Sequence, residues 1–283
     1  MPLTYLDQNA LIELGRKARN TDFRKKLDSA IESGSFAAVV SSWHLIETAH
    51  TANLANATEL ANFIDSLNPS WLLERRDIQM LDVEEDFYTF LKIASPSKPR
   101  VTTRSSAFAA LNKQKDSPKF DIPSRNFVQQ WIEHPKQLKV LEEVYERNEA
   151  NLLRLRELTK QGKLTDEIRR RVDELLVTGS LPKSTPAGLE IGRETKMEYV
   201  HQVDVRVIPS LAIETAISNH EWISQGGADR NTLIDKFHLI SALSHVDEIL
   251  SDDKFFHRLY PVAEKTGYVK AKLLGNDEFV KHF

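Results

Sequence analysis

The sequence predicts an α/β fold in which a parallel sheet is layered between helices. Three observations carry this. Apolar runs of strand length occur at residues 3–6, 36–40, 78–83 and 248–250, the first three each followed by a helical stretch. Two of these junctions hold an acid or hydroxyl suited to starting a helix, at Asp7 and Ser41. The composition, 41% hydrophobic and 28% charged over 283 residues, is that of a globular chain longer than one average domain.

The elements follow in order. Leu3–Leu6 reads as a strand that ends at Asp7-Gln8-Asn9, and Ala10, Leu11 and Leu14 begin a helix. Residues 22–33 are helical and stop at Gly34. A second strand spans 36–40, and Ser41-Ser42 caps one long helix running to about Leu67, closed by Pro69. The third strand is placed at Ile78–Val83, with a helix over 84–94. Near the other end, Leu239, Leu243 and Val246 give residues 232–246 the period of an amphipathic helix. Asp235 stands in its first turn, where the positive end of the helix dipole favours a carboxylate. Glu248-Ile249-Leu250 is a buried strand, Ser251-Asp252-Asp253 lies at its carboxyl end, and Phe255-Phe256 opens the next element.

Residues 95–202 differ in character and read as a mostly helical insertion between core segments 1–94 and 203–283. From Ser95 to Arg125 seven cations face two acids, a local charge of +5 in a proline-rich stretch. Leu138, Leu141, Tyr145, Asn148, Leu152 and Leu155 then form a helical seam. Its partner is the helix over 165–177, and a Pro/Gly/Ser linker spans 178–188.

Composition excludes several classes of function. There is no cysteine, hence no disulfide and no thiolate metal site. No run approaches the 18 or so apolar residues of a membrane span, and the start of the sequence does not resemble a secretory leader. A cytoplasmic protein is the expectation. The net charge of −3 gives no global attraction for nucleic acid, so any such binding has to be local.

Four acids fall where one sheet edge would gather them: Asp7, Glu47, Asp235 and Asp253, with Asp252 beside the last. Carboxylates so collected repel one another unless a cation joins them. Mg²⁺ and Mn²⁺ prefer such hard oxygens and keep waters for substrate and nucleophile. His44-x-x-Glu47-x-x-His50 is not a metal motif, because three-residue steps set the histidines about 120° apart around a helix. Gly226-Gly227 is a plain loop, and no nucleophile elbow is present.

Leu6-Asp7-Gln8-Asn9, Ser41 through Glu47, Asp235 through Ala242 and Ser251-x-Asp253-x-x-Phe256 resemble the four ordered motifs of PIN-domain ribonucleases, a family that includes VapC-type toxins. The resemblance covers about residues 1–94 and 203–283, with Val269–Phe283 similar to the family's last strand and terminal helix. It implies a three-layer α/β/α sandwich with a central parallel sheet. It also implies a metal-dependent endoribonuclease that leaves 5′-phosphate and 3′-hydroxyl ends, a chemistry shared by toxins, defence nucleases and RNA-processing enzymes. Asp7, Glu47, Asp235 and Asp253 match the metal-binding quartet, either Asp252 or Asp253 facing the metal. Asn9 and Ser251 match its small polar companions, and His238 stands one turn after Asp235 as a support. The implied cofactor is Mg²⁺ or Mn²⁺. The implied partners are an RNA substrate, an inhibitory protein and a second copy of the chain. The long segment between the second and third motifs departs from the family. Within it Lys98, Arg100, Arg104, Lys113 and Lys115 are the candidate phosphate contacts, with Phe108, Phe120 and Phe127 placed to stack on bases.

Two other readings use the same residues. One is a haloacid-dehalogenase-like phosphohydrolase with Asp7 as nucleophile and Asp252 and Asp253 on magnesium, although Asn9 stands where such enzymes carry a second Asp. The other is a non-catalytic RNA- or protein-binding module that acts through the helical insertion.

Overall fold

A computed structural model describes residues 2–50, 53–111, 122–136, 157–158, 161–163, 165–223 and 238–280. They form an α/β fold around a six-stranded, mostly parallel sheet with the order β4-β3-β2-β1-β5-β6. The strands are β1 (Leu3–Leu6), β2 (Ala37–Val40), β3 (Ser70–Leu72), β4 (Val101–Thr102), β5 (Glu248–Leu250) and β6 (Lys272–Leu274). Only β4 runs antiparallel, against β3.

Side-chain alternation lets this sheet serve two cores at once. Leu6, Ala38, Val40, Trp71 and Leu250 point into one apolar cluster; Tyr5, Val39, Leu72 and Ile249 point into the other. The first is covered by α1 (Gln8–Lys17), α2 (Thr21–Ser33), α3 (Ser42–Ala49) and α4 (Leu54–Ser66). The second is covered by α5 (Arg75–Phe90) and helices Pro209–Ile223, 238–243 and Lys254–Glu264. Burial on both faces explains why the strands read as short, nearly continuous apolar runs.

Two assignments made from sequence change. Residues 78–83 are not a strand: they belong to α5, and the third strand is Ser70–Leu72. Ile78, Asp82, Val83 and Phe87 are buried at helical spacing, and Gln79, Met80 and Leu81 are good helix formers. The single helix expected from Ser41 to Leu67 is two, because Asn53 starts α4 by accepting hydrogen bonds from the backbone of Ala55 and Asn56.

Beyond residue 95 the chain goes on building the sheet. β4 pairs with β3, and Phe108 of α6 (Arg104–Leu111) and Trp131 of α7 (Ser124–Glu133) enter the first core. Asp65 of α4 holds this segment in place, accepting from Ser124 N at 2.9 Å and Ser124 Oγ at 2.5 Å, and pairing with Arg104. Helices Asp166–Thr178 and Arg193–Gln202 close over the outer side of α5, where Val177, Tyr199 and Val200 pack with Val83, Phe87 and Tyr88. The predicted seam over 136–161 lies almost wholly outside the described residues. Among the described residues, no helix is long and apolar enough to cross a membrane.

Candidate functional site

From β1 the chain steps one way along the sheet to β2 and β3, then returns to the other side of β1 for β5 and β6. The order therefore reverses between β1 and β5. In open α/β sheets the loops leaving two such strands diverge, and a crevice opens at their carboxyl ends. The residues placed there are Asp7, directly after β1, and Ser251-Asp252-Asp253, directly after β5.

These residues are bonded to one another. Ser251 Oγ donates to Asp7 Oδ2 and accepts from the backbone N–H of Asp253 at 3.0 Å. Each aspartate also caps a helix. Asp7 Oδ1 accepts from Ala10 N at 2.6 Å at the start of α1, and Asp253 Oδ1 accepts from Phe255 N at 2.6 Å at the start of Lys254–Glu264. Two helix N-termini thus meet at the switch point, each with its positive end toward a carboxylate. Burial still pushes Asp7 up to about 6, against the opposing pull of Ser251 and Ala10. The charges of Asp253 and then Asp252 contribute to that rise. Asp7 is therefore a buried acid facing two like charges.

Of the two adjacent aspartates, Asp253 is the one built into this arrangement. Asp252 is exposed and turns toward the end of β6, where its Oδ1 accepts from Asn276 N at 3.0 Å. Gly275 fits closely there, since a Cβ on it would come within 3.0 Å of the same oxygen.

The neighbouring strand ends complete the edge. After β2, His44 is fully buried. Its Nδ1 accepts from Ser41 N at 2.8 Å, so Nε2 carries the proton and donates to Leu6 O at 2.6 Å. Burial holds this ring neutral, down to about 4. His44 thereby ties α3 to the residue just before Asp7, and Gln8 Nε2 adds a second tie to Thr48 Oγ1 at 3.1 Å. Glu47, half-buried on α3, is near enough for its charge, with those of Asp7 and Glu74, to press on Tyr5. His238 is buried, and its Nδ1 pairs with the Tyr5 hydroxyl.

Glu74, after β3, is a residue that sequence reasoning missed. Ser42 Oγ and Trp43 Nε1 both donate to its carboxylate, and burial pushes it up to about 7. The signal was present in Ser70-Trp71-Leu72-Leu73-Glu74, an apolar run after a proline that ends in an acid.

Other candidates fall elsewhere. Asp235, Lys113, Lys115 and Phe120 lie outside the described residues, and Asn9 is exposed. Lys98 pairs with Glu84 at 2.7 Å, Arg100 with Asp82 at 2.8 Å and Glu85 at 2.6 Å, and Arg104 with Asp65. Phe108 and Phe127 do not present free faces to a base: they stack on each other at 4.2 Å, with Phe108 buried between Trp71 and Trp131.

Among the described residues no group of three His, Asp or Glu side chains is arranged to hold a metal ion. The donors at the switch point fit a hard divalent cation in kind, since they are carboxylate oxygens whose mutual repulsion such an ion relieves. No family model, curated protein or solved structure matches the chain.

Proposed function

We propose that the chain is a Mg²⁺- or Mn²⁺-dependent endoribonuclease with a PIN-like core. The observation that carries this reading is the pairing of Asp7 with Asp253 through Ser251 at the switch point of the sheet. Asp7 and Asp253 would hold the ion, and the motif resemblance adds Glu47 and Asp235 to them. When bound, the metal stabilises the charge of an in-line phosphodiester displacement and makes water acidic enough to act as nucleophile.

The chain's own residues prepare the place. Ser251 fixes the rotamer of Asp7 and the backbone of Asp253 together. His44 and Gln8 lock β1 against α3, so that Asp7 and Glu47 keep a constant spacing. The two helix N-termini soften the repulsion between the aspartates and the phosphate backbone. In this reading the chain works on RNA in the cytoplasm, with an inhibitory protein and a second copy of the chain as its partners.

The test is incubation of the pure chain with total RNA and Mn²⁺, followed by mapping of the cut ends. The proposal expects internal cuts with 5′-phosphate and 3′-hydroxyl termini, abolished by chelator and by Asp7→Asn. Intact RNA, or cutting that survives Asp7→Asn, contradicts it.

A further inference from the structure

At the opposite edge of the sheet, where the chain enters β5 and β6, a cleft of about 320 Å³ opens. That lies at the lower end of the roughly 300–1,000 Å³ usual for small-molecule sites. One wall is an ion network. Arg100 donates to Asp82 Oδ1 through Nη2 at 2.8 Å and to Glu85 Oε1 through Nη1 at 2.6 Å, and Ser210 N donates to Asp82 Oδ2 at 3.1 Å. Lys270 stands exposed at the rim with no acid in ion-pair reach among the described residues. Two carboxylates thus face two cations, and the formal charges cancel.

Part of the cleft lining is polar and unsatisfied. Ser244, 2% exposed, and its neighbour His245 both line the cleft, yet among the described residues Ser244 Oγ and His245 Nε2 have no hydrogen-bond partner. His245 Nε2 is 3.8 Å from Asp82 Oδ2, too far for a hydrogen bond. Buried polar atoms are rarely left this way, and both residues line the cleft, where an occupant can supply the partners. Burial keeps the His245 ring neutral, down to about 4, so it presents a donor and an acceptor rather than a charge. The half-buried Tyr268 and Pro209 provide flatter, less polar walls.

An occupant with no net charge suits this lining, since its two carboxylates and two cations balance. A donor and an acceptor side by side would serve Ser244 and His245, and a flat ring would lie well beside Tyr268. We propose that this cleft binds a nucleobase, free or as its nucleoside, with the base edge on Ser244 Oγ and His245 Nε2 and the ring beside Tyr268. The site is independent of the acidic edge, and the inference stands whether or not that edge cleaves RNA.

Adenosine, guanosine, cytidine and uridine are titrated in turn into the full chain by calorimetry in the presence of chelator, with ribose and inorganic phosphate as controls. At least one nucleoside is expected to bind saturably, and neither control. Ser244→Ala and Tyr268→Ala should each weaken binding about tenfold, the effect of removing about one hydrogen bond or one stacking face. Asp7→Asn should bind as wild type does. Ser244→Ala removes a hydroxyl without a partner among the described residues, so its melting point should not fall, which separates weakened binding from impaired folding. The inference is overturned if no nucleoside binds, if ribose or phosphate binds equally well, or if both cleft variants bind like wild type.

Discussion

Replacing Asp7 by Asn should stabilise the metal-free protein, and the gain should depend on pH. Asn caps a helix about as well as Asp, and its amide oxygen can still accept from Ala10 N. What it removes is a negative charge held in a buried place beside Asp253. Burial raises Asp7 from an ordinary 3.8 to about 6 in the folded protein. Below pH 3.8 the carboxyl is protonated in both states and costs nothing. Between 3.8 and 6 the folded state binds the proton more tightly, so stability falls as pH rises. Above 6 the whole penalty is present, on the order of 3 kcal/mol, since each pH unit between the unfolded and folded values is worth about 1.4 kcal/mol. Asp7→Asn should therefore gain about 2–3 kcal/mol at pH 8 relative to its effect at pH 4. Chemical denaturation in chelator at the two pH values reads this directly. At about 2–4 °C per kcal/mol, thermal melts should move by several degrees. A mutational effect equal at both pH values would refute the reasoning, because the carboxylate would then carry no burial or like-charge penalty.

Ser251→Ala withdraws a hydroxyl from the buried Asp7 carboxylate and should cost about 1–3 kcal/mol at pH 8, measured by urea unfolding; an unchanged midpoint would deny that bond any weight. Because Glu74 is pushed up to about 7 and accepts from Trp43 Nε1, tryptophan fluorescence should show an inflection near neutral pH that Glu74→Gln abolishes. Arg104→Ala breaks a part-buried pair with Asp65 and should lower stability by about 1–3 kcal/mol. A variant that melts like wild type but binds RNA more weakly would instead place Arg104 on the RNA surface. Neutralising Lys113 and Lys115 together should flatten the salt dependence of RNA binding by about 0.7 in logarithmic slope for each phosphate no longer neutralised; an unchanged slope would exclude them.

Much of the acidic edge is legible in the sequence because its acids and hydroxyls sit at chain punctuation. Asp7, Ser41 and Asp253 each stand between a strand and a helix, and the residue types that suit such a junction are few. β3 was less legible for a physical reason. Ser70–Leu72 is too short to show a period, whereas Ile78–Val83 in α5 has enough apolar residues to imitate a strand. Missing β3 also hid Glu74. The pairing of β1 with β5, which creates the crevice, joins residues more than 240 positions apart and leaves no local signal. The histidines were obscured in the same way: His44 and His238 occupy helices that look amphipathic, yet both are buried against Tyr5. The basic stretch misleads for the opposite reason. Lys98, Arg100 and Arg104 count as free charge in a local sum, but their acidic partners lie 14–39 residues back in the chain.

The central claim is that Asp7 and Asp253 at the switch point hold a divalent cation. Manganese binding, followed by the disappearance of the free-ion electron paramagnetic resonance signal, tests it without relying on any substrate. Wild type is predicted to bind saturably at pH 8. Asp7→Asn and Asp253→Asn should each weaken that binding at least about tenfold, one charged ligand being worth about 1.4 kcal/mol or more. Binding that is the same in all three proteins would put the ion elsewhere and contradict the claim.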